Sequence, residues 1–110
     1  MENTITLTYN DEEYTLGFSR RSEQQMEKAG FVLDQIATYP NTMIPMLFAG
    51  AFLMRHPKVK EETINAIYNK VEDKEGLLQK LVEMYNEGTS SLMENPEDAD
   101  PKKISWKANF

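Results

Sequence analysis

The sequence predicts an α+β protein: an N-terminal β-hairpin, then a mostly helical domain of about four helices, then an acidic C-terminal tail. Three observations predict it. Residues 4–18 alternate apolar and polar side chains, the middle of the chain spaces its apolar residues at helical intervals, and residues 94–103, ENPEDADPKK, have no apolar side chain but Ala99. A single domain is expected over residues 1–93, with a flexible acidic tail over 94–110 that ends in an aromatic segment.

In the hairpin, Ile5, Leu7 and Tyr9 alternate with Thr4, Thr6 and Thr8. Tyr14, Leu16 and Phe18 then alternate with Thr15 and Gly17, after an interruption at Asn10-Asp11-Glu12. Two strands alone are marginal in water, so their apolar face must lie on another element. Ser22 to Gln25 has the spacing of a capping box and starts the first helix. Met26 and Ala29 give that helix an inward edge, and Gly30 suits the left-handed position that ends it. Phe31, Val32, Leu33 and Ile36 form an apolar connector, either irregular or a resumed helix.

Tyr39-Pro40-Asn41-Thr42 is a break, with Asn41 or Thr42 as the next N-cap and Pro45 in the first turn. Residues 43–54 then run without a polar side chain, too short for the roughly 20 residues that span a bilayer. A helix apolar all round is expected at the centre of its domain, and Ala49-Gly50-Ala51 leaves a low surface for a close backbone approach. Arg55-His56-Pro57 ends it. Ile64, Ile67, Tyr68 and Val71 mark one further helix. Leu77, Leu78, Leu81, Met84 and Tyr85 mark the last, capped by Asp73 and fraying near Gly88-Thr89-Ser90-Ser91.

Composition narrows the functional classes. The 110 residues hold 18 acids and 12 bases, a net charge of −6, with no cysteine, one histidine, one tryptophan and seven methionines. Disulfides and thiol catalysis are excluded. An acidic chain is a poor general binder of nucleic acid. The first ten residues, MENTITLTYN, lack the basic and apolar regions of a secretory signal. The charge is also unevenly spread: residues 71–100 hold nine acids against Lys74 and Lys80, whereas the last ten hold three lysines and no acid.

The constellations of common catalysis are missing. His56, the one histidine, has no evident nucleophile or carboxylate to work with and reads as an exposed or capping residue. No glycine-rich phosphate loop occurs, and the acidic runs Glu61-Glu62, Glu72-Asp73-Glu75 and Glu97-Asp98-Asp100 read as solvated charge. No enzyme activity, cofactor, metal or small-molecule substrate is therefore expected, and no membrane partner.

The remaining candidates concern partner binding. Met43, Met46, Phe48, Gly50, Phe52 and Met54 lie on the apolar stretch, with Met26, Met84 and Met93 elsewhere. Methionines there either fill core gaps or form a soft surface that adapts to apolar partners. Trp106 and Phe110, four residues apart, can dock on their own domain, on a second copy or on another protein.

Four stretches carry a family resemblance: ITLTYNDEEYTLGFS, the helix R-R-S-x-x-Q-M-E-K-A-G-F, T-M-I-P-M-L-F-A-G-A-F, and the C-terminal S-W-x-A-N-F. Together they resemble the tail assembly chaperones of siphophages and prophages of Gram-positive bacteria, over nearly the whole chain. The resemblance implies a helper in the host bacterial cytoplasm that coats the apolar, helical tape-measure protein until tail-tube subunits polymerise around it. Proteins of this kind are often made in a short and a longer, frameshifted form. Two other readings remain open: a structural or oligomeric tail component, and a small phage regulatory protein that binds a host target.

Overall fold

A computed structural model describes residues 3–91, 102 and 104–110, with the side chains of 90 and 91 left aside. Met93, the expected domain end at 93 and most of the expected acidic tail lie outside the described residues. The chain forms a two-stranded antiparallel sheet, β1 (Ile5–Tyr9) and β2 (Glu12–Leu16), followed by four helices. These are α1 (Arg20–Lys28), α2 (Pro40–Gly50), α3 (Glu61–Lys70) and α4 (Lys74–Ser91), with a short 3₁₀ turn at Leu33–Gln35 before α2. This is the expected α+β fold.

The hairpin turn is tighter than expected. Tyr9 pairs directly with Glu12, so only Asn10 and Asp11 turn the chain, with φ of 51° and 65°. Positive φ at both central residues is the backbone that matches the twist of paired strands, and Asn and Asp tolerate it. Ile5, Leu7 and Tyr9 face inward, half-buried, while Tyr14 and Leu16 are buried outright.

The N-cap of helix α1 lies three residues before the expected one. Ser19 is its N-cap: the Ser22 amide donates to Ser19 Oγ at 3.1 Å and the Ser19 amide donates to Ser22 Oγ at 2.9 Å. Gly30, at φ 105°, ends the helix as its spacing predicted. Helix α2 also starts early, at Pro40, where a missing N–H costs nothing. Neither Asn41 nor Thr42 caps it, and Pro45 consequently sits beyond the first turn, exposed. The α-helix stops at Gly50, and residues 51–55 continue as successive turns rather than as one helix to Met54. Helix α4 is capped by Asp73, whose Oδ1 accepts from the Gly76 amide at 3.1 Å.

The core gathers under the hairpin. Leu16, Phe31, Leu47, Phe48, Phe52 and Leu81 are its largest fully buried side chains. Burying each such side chain contributes about 1.5–3 kcal/mol, which is what fixes the hairpin on the helices. Aromatic edges interlock across elements: Phe48 meets Phe52 at 5.3 Å and Tyr68 at 5.0 Å, and Tyr85 meets Phe18 at 5.4 Å and Phe31 at 5.1 Å. Helix α4 runs through the expected fraying point to Ser91. Gly88 lies inside it, where a Cβ would strike the Glu23 carboxylate of α1. The glycine marks a close approach of two helices, not an end.

Candidate functional site

The inward face of β1 does not close completely on the helices. Between Ile5, Leu7 and Tyr9 on one side and Ile67, Val71 and Leu77 on the other lies a groove of about 650 Å³. Its floor is apolar because two amphipathic stripes converge there, the period-two face of β1 and the helical stripe of α3 and α4. Charges stand only at its rim. Lys70 places its ammonium 5.4 Å from the Tyr9 ring centre, and Glu72, Asp73 and Lys80 complete the border. Lys74 is turned away, its ammonium donating to the Val71 carbonyl at 2.9 Å and lying 5.5 Å from the Tyr68 ring centre. A shallower apolar hollow of about 390 Å³ continues along the outer side of α4 over Leu78 and Val82, flanked by Glu75 and Glu83.

The candidate residues of the apolar stretch divide by burial. Met43, Phe48, Gly50 and Phe52 are enclosed in the core, at most 6% exposed for the three with large side chains. In this structure they hold the fold together and offer no surface. The low surface at Gly50 is real, but the group that uses it is internal: a Cβ there would land on the Met26 thioether of α1. Met46 and Met54 are half-buried. Met54 borders a separate hollow of about 340 Å³ with Leu53, Gln25 and Pro57. Trp106 and Phe110 are bare, 85% and 112% exposed, and Ile104 beside them is 89% exposed.

His56 is a structural residue. Its Nε2 accepts from the Thr15 amide of β2 at 3.0 Å, which places the ring proton on Nδ1, and its ring packs on Tyr14 at 5.2 Å. Among the described residues no cluster of three or more histidine or acidic side chains is placed to hold a metal ion. No described helix is long and apolar enough to cross a membrane.

Two features of the site are not evident from spacing alone. The groove was legible only as two separate inward faces, since spacing alone does not tell whether facing stripes fill the space between them. The other is Glu23, 6% exposed on the inner side of α1. Thr89 Oγ1 donates to its Oε1 at 3.4 Å, and its Oε2 has no hydrogen-bond partner among the described residues. Burial pushes its carboxyl up to about 7, the Thr89 hydroxyl opposes that, and Glu27 adds to it. Tyr85 is pushed up to about 12 by burial and then by the charges of Glu23 and Glu27. The signal was present in the spacing of Glu23 and Met26, three residues apart on one helix face.

Fold and groove together define a small α+β protein that carries an apolar groove with charged residues at its border. The chain belongs to the family described as Domain of unknown function (DUF5055), whose family model matches residues 1–110. No curated protein and no solved structure matches it.

Proposed function

We propose that this chain is a non-enzymatic helper of phage tail assembly, of the kind its sequence resembles. It holds apolar helical segments of a tape-measure protein and keeps them soluble in the host bacterial cytoplasm until the tail is built. The supporting observation is the groove between β1 and the α3–α4 corner, apolar at Ile5, Leu7, Ile67, Val71 and Leu77 and charged at its edge. An amphipathic helix that lays its apolar side there buries two or three side chains, worth about 1.5–3 kcal/mol each before ordering costs are subtracted. That is the scale of a reversible hold, which a helper must release. The identity of the client comes from the resemblance; the groove is where the client sits.

Co-expression with the tape-measure protein of the same genome tests this. That protein should become soluble and co-purify with the chain, and Leu77→Lys, which sets a charge in the groove, should abolish both effects. No gain in solubility together with no co-purification would refute the proposal. A second reading, a structural tail component, draws on the bare Trp106 and Phe110. Mass spectrometry of purified virions separates the two: a stoichiometric amount favours the structural part, absence favours the helper.

A further inference from the structure

The described end of the chain, residues 104–110, has no regular secondary structure, so Trp106 and Phe110 do not share a helical turn. Its side chains alternate instead. Ile104, Trp106, Ala108 and Phe110 are apolar, and Ser105, Lys107 and Asn109 between them are polar. Extended, such a segment is a strand with one apolar face. The three large apolar side chains on that face are at least 85% exposed, so their own molecule does not cover them.

The same molecule carries an open strand edge. The outer edge of β2 is closed by the segment that follows α2: the Thr15 amide donates to His56 Nε2 at 3.0 Å and the Gly17 amide to the Ala51 carbonyl at 3.0 Å. Because the Thr15 amide points away from β1, its partner Thr6 points its own N–H and C=O away from β2, and Thr8 does the same. No described strand pairs with that side of β1. The edge runs beside the groove, whose wall includes Thr8 as well as Ile5, Leu7 and Tyr9.

We propose that residues 104–110 of a second copy add as a third strand on the free edge of β1, their apolar face laid into the groove, and cap it while no client is bound. The occupant follows from the fit of three features. The segment alternates with the period the edge requires, its apolar face matches an apolar floor, and its charge is opposite to that of the groove's surroundings. Lys102, Lys103 and Lys107 lie in and beside the segment, whereas around the groove and the hollow next to it Glu72, Asp73, Glu75 and Glu83 outnumber Lys70 and Lys80. The contact is head-to-tail, so copies chain or close into rings, and a client displaces them one at a time. The capping role rests on the groove being the client site; the self-association does not.

The experiment uses the full chain alone, with no client. Trp106 is the one tryptophan, so its fluorescence reports the segment directly. From about micromolar to hundreds of micromolar, the mass by sedimentation should rise and the Trp106 emission should shift to the blue over the same range. Thr8→Pro removes an outward N–H without touching the β1–β2 ladder and should weaken association roughly tenfold or more. Trp106→Ala should leave a monomer, and serves if the proline variant does not fold. Three results would each overturn the proposal: a monomer with solvent-like emission throughout, a monomer whose emission is blue at every concentration, which means docking on its own body, or association undiminished by Trp106→Ala. Client solubilisation with failed self-association would sink the cap and leave the proposed function standing.

Discussion

Glu23→Gln isolates the one strongly perturbed carboxyl of the α1–α4 contact. In the folded chain burial holds the proton on Glu23 up to about 7, against 4.5 for the same group in the open. A raised carboxyl means that the folded state binds the proton more tightly than the unfolded one. Stability from this group is therefore fully present below about pH 4.5 and is lost as pH rises through about 7. A difference of about 2.5 units corresponds to about 3 kcal/mol, and hydration of the opened carboxyl reduces that to about 1–3 kcal/mol. Glutamine keeps the shape and cannot ionise. Urea unfolding followed by far-ultraviolet circular dichroism, at several pH values between about 5 and 8, should show the wild type losing about 1–3 kcal/mol across the range. Glu23→Gln should be flat, close to wild type at about pH 5 and more stable at about pH 8. Equal pH slopes in the two proteins, or a variant weaker than wild type at about pH 8, would show that Glu23 does not carry the pH dependence.

Gly88→Ala, which in an open helix adds up to about 1 kcal/mol, should gain none of that here because the new Cβ forces the buried Glu23 carboxylate to swing aside; the same urea titration checks it, and a full gain would count against the contact. Phe52→Ala should cost about 3–5 kcal/mol, since the ring is 1% exposed and wedged between Phe48 and Tyr14. Trp106→Ala, measured on dilute protein, should stay within about 0.5 kcal/mol of wild type. His56→Ala strips the acceptor from the Thr15 amide and should cost about 1–3 kcal/mol; amide exchange at Thr15 should rise with it.

How far the sequence could be read follows from which interactions are local. The hairpin was legible because alternation in threonine, leucine and tyrosine is a local property, and so were the Gly30 stop and the Asp73 cap. The start of α1 was misplaced because Ser19 and Ser22 are both good caps at that spacing, and the reciprocal bond between them selects the earlier one. Gly88 read as a break because helix propensity is local, whereas the approach of the Glu23 side chain to it spans 65 positions. The apolar stretch 43–54 is legible as a central helix, but its residues read either as core or as partner surface, because the choice depends on how much the hairpin and α3 cover. They cover Phe48 and Phe52 fully and leave the opening elsewhere, beside β1.

The central claim is that a client's apolar side chains rest in the groove beside β1. Hydrogen–deuterium exchange on the full chain, with and without the co-purified tape-measure protein, tests it most directly. New protection is expected over residues 5–9 and over the α3–α4 corner near Val71 and Leu77, with the already buried core around Phe48 and Phe52 unchanged. Protection confined to residues 43–54, or none in a complex that does form, would contradict it.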